Sequence, residues 1–147
     1  MKKTLFVLAL GASSMMVASG VIAQEWPFVG GDYWEVTGVD IHDGAGLKYA
    51  NWLAAEWRKE SEFAKSKGWV KDYMVLANVH NRSDEPDLYL ISVMENIASG
   101  PEGEKRYKEY MDWQTKTVEQ MQGESGNRAE YRTVMSTSLL QELKFRK

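Results

Sequence analysis

Two successive strand-like segments, Lys71 to Val79 and Leu88 to Glu95, carry apolar residues at both parities. Tyr73, Val75, Ala77 and Val79 fall on one side of the first, Met74 and Leu76 on the other. In the second, Leu88 and Leu90 oppose Tyr89, Ile91 and Val93. A sheet wet on one side alternates apolar and polar residues; a sheet covered on both sides does not. This chain must therefore bury both faces of a sheet.

The flanking segments supply the other layers. Tyr33 to His42 reads as a strand closed by the turn Asp43-Gly44-Ala45-Gly46, with Asp43 placed to cap a helix from about Gly46 to Lys67 that ends at Gly68. The segment His80 to Asp87 is a polar hairpin loop. Ser99, Pro101 and Glu102 give a capping-box start to a second helix running to about Gln122. Gly123 and Gly126 bracket a loop, and Tyr131 to Leu143 is a long last strand. The order β-α-β-β-α-β predicts an α+β domain of ferredoxin-like arrangement: a four-stranded antiparallel sheet with two helices on one face. Two helices cover one face only, so a second copy of the sheet is expected on the other, in a homodimer.

The element order, the length and the two-sided sheet resemble the dimeric α/β-barrel superfamily. Its members include antibiotic-biosynthesis monooxygenase-like, NIPSNAP-like and haem-degrading domains. The segments Phe63 to Trp69 and Glu85 to Leu90 are also similar to those of exported, uncharacterised bacterial proteins. The first resemblance implies a dimeric barrel over residues 24–147 and a pocket for a small organic molecule. Some relatives use haem, but neither expected helix holds a histidine for axial ligation, so no cofactor is expected.

Residues 1–23 have the pattern of a cleavable secretory leader: Lys2 and Lys3, an apolar run from Leu5 to Val17, and the small-residue end Val21-Ile22-Ala23. Cleavage there would leave 124 of the 147 residues and shift the formal charge from −3 to −5. The expected compartment is the periplasm. No later stretch reaches the ~20 apolar residues of a membrane span, and an acidic chain with no long basic run is a poor partner for nucleic acid. The absence of cysteine removes disulfides, thiolate nucleophiles and cysteine-ligated metals. Six Trp and seven Tyr compensate with apolar area, as core and interface or as the walls of a pocket.

The candidate chemistry lies on the helices. On the first, Tyr49, Leu53, Trp57, Ala64 and Ala50 form the apolar stripe, with Trp52 and Phe63 at its edge. Glu60 falls within that stripe and Glu56 lies one turn earlier. Carboxylates on a core-facing surface are costly unless paired or protonated, which is the setting of a general acid or base. Pairing of Glu60 with Arg132 or a tyrosine hydroxyl is the structural alternative. On the second helix Tyr107, Met111, Val118 and Met121 form the stripe, with Tyr110 beside them and Gln114 near its centre. Glu56 and Glu60 as proton-handling residues, with Tyr49, Trp52, Trp57, Tyr107 and Gln114 around a ligand, would make one polar spot in an apolar helix–sheet pocket.

Two weaker candidates remain. His42 and His80 end parallel strands at one end of the sheet, about 10 Å apart at the backbone by interstrand spacing, without the spacing of a metal motif. Arg82, in the hairpin loop, could receive a carboxylate. These features point to a pocket protein that binds a small apolar or aromatic molecule and can transform it without a metal. A non-catalytic binding or stress-related scaffold, and a subunit of a larger envelope complex, are the competing readings.

Overall fold

The computed structural model describes residues 25–147; the leader expected at residues 1–23 lies outside the described residues. The fold is α+β. Four strands, β1 (Phe28–Ile41), β2 (Asp72–Ala77), β3 (Leu88–Met94) and β4 (Arg132–Phe145), form one antiparallel sheet in the order β2-β3-β1-β4. Among the described residues no helix is long and apolar enough to cross a membrane.

Between β1 and β2 the chain is helical from Gly46 to Ser66, but it is not one regular helix. A π-helical turn, Leu53–Trp57, separates α1 (Gly46–Trp52) from α2 (Arg58–Ser66). The helix stops at Gly68, which adopts φ +70° while the following Trp69 N–H donates to Ala64 O at 3.0 Å. A left-handed glycine just past the last turn is the usual way to satisfy end carbonyls. At the start, Ala45 rather than Asp43 is the cap, and no side chain bonds there.

The second expected helix is two helices. α3 (Gly100–Gln114) ends where Thr115 takes φ 57°, and α4 (Val118–Arg128) begins after it, with Gly123 and Gly126 inside it. The capping box forms at Thr117 and Gln120, each side chain bonding the other's backbone N–H, and not at Ser99. Glu102 pairs instead with Arg106, at 2.9 Å. The expectation of two helices thus gives way to three helical segments, Gly46 to Ser66, α3 and α4, because Thr115-Lys116-Thr117 favours a stop and a restart over helix propagation.

The sheet is longer than its apolar runs suggest. β1 starts at Phe28, and its Gly30-Gly31 pair belongs to the strand. A Cβ at Gly30 would lie 2.7 Å from Nε2, the movable end of the Gln141 side chain on β4. Phe28 meets Phe145 across the pair, with ring centroids 4.9 Å apart.

Both faces of the sheet carry apolar residues, in agreement with the pattern in the sequence. Val39, Leu88 and Ala77 align in one row by register, and Val36, Ile91 and Met74 align in a row of opposite parity. Tyr49 and Leu53 pack onto Val39, which is fully buried, with Leu88, Leu90 and Trp57 around them. Burying a side chain such as Leu53 contributes roughly 1.5–3 kcal/mol. Ile91 and Val93, of opposite parity, are buried as well. α2 and α3 meet through the Phe63 and Trp113 rings, stacked 4.2 Å apart.

Thr115 is β-branched in a left-handed conformation, which favours glycine. Thr115→Gly is therefore expected to raise the unfolding free energy by about 0.5–1 kcal/mol, read as a higher denaturation midpoint at constant slope.

Candidate functional site

A π-helical turn inserts one residue into the helical ladder and shifts the faces on either side of it. Five of the seven expected site residues lie in two clefts and a polar contact around this helical segment.

The first cleft lies between the helix and the β2–β3 edge of the sheet. It has a volume of about 610 Å³. Leu53, Ala54 and Trp57 of the π-turn form one wall, and Tyr73, Met74, Val75 and Leu88 form the other. Trp57 meets Tyr73 edge-on, centroids 5.4 Å apart at 79°, an arrangement favoured by the ring quadrupoles. Arg58 also lines this cleft. The Tyr73 hydroxyl donates to Glu62. That bond to a carboxylate, with desolvation second, holds the Tyr73 pKa above the ordinary tyrosine value.

The second cleft, about 530 Å³, lies between α1 and α4. Trp52 and Tyr131 supply its aromatic surface, and Lys48, Glu56, Lys116, Glu124 and Arg128 supply most of its charge. Lys116 Nζ lies 2.9 Å from Glu124 and 3.5 Å from Glu56. Arg128 sits over the Trp52 ring at 4.5 Å, and Lys48 over the Tyr131 ring at 4.3 Å.

The polar contact joins α2 to α3. Gln114, the buried polar residue of the core, donates through Nε2 to Glu60 Oε1 and to the Tyr110 hydroxyl, both at 2.7 Å. Burial pushes the Tyr110 pKa up; the Gln114 bond opposes this and nearby Glu60 adds to it. Glu60 is thus matched by an amide donor rather than by Arg132.

Of the expected site residues, Trp57 lines the helix–sheet cleft, Trp52 and Glu56 line the α1–α4 cleft, and Glu60 and Gln114 pair between the helices. Tyr49 lines neither cleft: it is 1% exposed, stacked 5.7 Å from Trp52, and burial raises its pKa. Tyr107 is 57% exposed, on the outer side of α3. The seven residues do not gather at one point.

His42 bonds through Nδ1 to Glu130 O at 3.1 Å and through Nε2 to Thr133 Oγ1 at 2.9 Å, so both ring nitrogens serve the connection into β4. His80 is exposed beyond the end of β2. Among the described residues no group of three His, Cys, Asp or Glu side chains is placed to hold a metal. Arg82 pairs within its own loop, 2.7 Å from Glu85.

Sequence reasoning missed Arg58, Lys48, Arg128 and Tyr131. Arg58 follows the π-turn, whose residues carry no local pattern that separates them from α-helix. Arg128 and Tyr131 fell in a stretch read as a loop and a strand start. Compared with protein-family models, curated proteins and solved structures, the chain matches none.

Gln114→Leu removes the donor from Glu60 and from Tyr110 in a part-buried setting. It should cost about 1–3 kcal/mol in chemical denaturation, while Glu60→Gln, which keeps a hydrogen-bonding side chain there, should cost less.

The raised tyrosine pKa values set the sign of an alkaline effect. Above the ordinary value of 10.0 the unfolded chain loses protons that Tyr49 and Tyr110 keep when folded. The unfolded state then binds fewer protons, so stability falls as pH rises through and beyond that value. Tyr110→Phe should make this decline shallower between about pH 9.5 and 11.

Proposed function

We propose that this is an exported, homodimeric protein of ferredoxin-like subunits, built as a dimeric α/β barrel, that binds a small apolar or aromatic organic molecule in the helix–sheet cleft. The observation that carries the binding proposal is the π-turn itself. Leu53, Ala54 and Trp57 border a space of about 610 Å³ with aliphatic and aromatic side chains opposite. Ligand pockets in general are apolar clefts of about 300–1,000 Å³ with a few polar groups that fix orientation. Arg58 and Tyr73 are the polar groups of this cleft.

The strand order supports the subunit fold: β1 lies between β3 and β4, and parallel β1 and β2 flank β3. The dimer finds support at β4. This edge strand is 14 residues long, and Val134, Met135, Leu139, Leu140 and Leu143 are each 41–54% exposed along it. A long edge with that much apolar surface invites pairing unless something covers it. Export rests on the sequence pattern of residues 1–23, and the periplasm is the compartment it fits.

Binding is favoured over turnover by where the two carboxylates sit. Glu56 faces Lys116 and Glu60 accepts from Gln114, so neither lines the apolar cleft. The reading is accordingly a binding protein, with metal-free transformation the narrower alternative.

The test is calorimetric titration of the mature chain with 2-naphthol, beside the variant Ala54→Trp. Ala54 borders the cleft, and an indole there fills it. Binding by the natural chain, weakened at least about tenfold in the variant with unchanged circular dichroism, is the expected result. Equal affinity in both proteins, or no binding by either, contradicts the proposal. Sedimentation of the same sample should give a dimer; a monomer overturns the barrel.

A further inference from the structure

The α1–α4 cleft has a different character from the helix–sheet cleft. We propose that it is a second binding site, one that receives the carboxylate of a small organic acid. Three cations and three acids line it: Lys48, Lys116 and Arg128 against Glu56, Glu124 and Glu130. They are not equally committed. Lys116 is shared between Glu56 and Glu124, at 3.5 and 2.9 Å. Lys48 and Arg128 have no carboxylate within 4.0 Å among the described residues; each lies over an aromatic ring instead.

Those rings matter in two ways. A guanidinium laid on an indole is held in position while its outer edge stays available to a planar anion. Because Trp52 and Tyr131 already carry cations on their faces, the site does not suit a cationic ligand. Behind the cleft, Arg132 lies 5.9 Å from the Tyr49 ring. The Nε atoms of Arg128 and Arg132 are both buried without a hydrogen-bond partner among the described residues. Buried donors of this kind are rare in folded proteins. With Nε of Arg128 closed off against the protein, its terminal nitrogens are left to meet a ligand.

The placement of charge selects the ligand class. The six charges cancel overall, but Lys116 faces two carboxylates, so Glu56, Glu124 and Glu130 leave negative charge at the rim and a polyanion such as a nucleotide would meet repulsion. A single carboxylate fits against Lys48 and Arg128, the two cations with no carboxylate within 4.0 Å among the described residues. A volume of about 530 Å³ leaves room for an organic body of modest size.

The experiment is calorimetric titration of the mature chain with benzoate, and with benzamide as its uncharged counterpart. Benzoate should bind at least about tenfold more tightly than benzamide. Arg128→Gln should weaken benzoate at least about tenfold. Arg58→Gln, which alters only the helix–sheet cleft, should leave it unchanged. Should Arg128→Gln fail to fold by circular dichroism, Lys48→Gln decides, with a loss of about threefold or more expected. Equal binding of benzoate and benzamide, sensitivity to Arg58→Gln instead, insensitivity to Arg128→Gln or Lys48→Gln, or no benzoate binding overturns the proposal. None of these outcomes depends on whether 2-naphthol binds the other cleft.

Discussion

The burial of Tyr49 and Leu53 against Val39 positions everything on the helical side of this protein. Val39 is fully buried and Tyr49 nearly so, while most of the surrounding apolar side chains are only partly covered. This contact fixes where the first helix sits on the sheet. The π-turn begins at Leu53, one of the two anchors, so the shift in helical phase starts at the point of firmest attachment. Lys48, Trp52 and Glu56 face the charged cleft, Ala50, Leu53, Ala54, Trp57 and Arg58 face the apolar one, and Glu60 beyond them meets α3. Different faces of one helical segment thus border two chemically distinct spaces.

Charge is handled differently on the two sides. Near α4, cations lie over Trp52 and Tyr131 and a single lysine answers two carboxylates. Between α2 and α3, a buried amide satisfies Glu60 without a counter-ion. A glutamine that donates to both a carboxylate and a phenol ties two helices together, and it holds that carboxylate away from the apolar cleft. That is the physical ground for reading the apolar cleft as a place for binding. The surface ion pairs elsewhere, such as Lys108 with Asp112 at 2.6 Å, are exposed and contribute little.

Much of the architecture was legible in the residues. Apolar residues at both parities of Tyr73–Ala77 and Leu88–Val93 announced a sheet with apolar side chains on both faces, and Gly68 ended the first helix as its position implied. Placing Glu60 and Gln114 both on core-facing stripes brought them near one another, but the expected partners of Glu60 were Arg132 or a tyrosine hydroxyl, not the amide it meets. What could not be read was phase. A wheel at 100° per residue assumes a continuous helix, and the π-turn breaks that assumption after Trp52. The second wheel also ran on through the stop at Thr115, which puts Val118 in a new helix, while Tyr107 within α3 is exposed. Ser99-x-x-Glu102 and Thr117-x-x-Gln120 both have the form of a capping box. Only the second closed, because Glu102 had Arg106 one turn ahead as a competing partner. Gly30-Gly31 precede the strand expected from Tyr33, yet both belong to β1.

The central claim is that the space bordered by the π-turn and β2–β3 holds a small apolar molecule. Methyl-resolved NMR of the labelled chain during addition of 2-naphthol tests it most directly. The account predicts that the methyl signals of Leu53, Ala54, Met74, Val75 and Leu88 move together and saturate, with Leu139 and Leu143 unmoved. Shifts confined to β4, or none at all at saturating ligand, would contradict it.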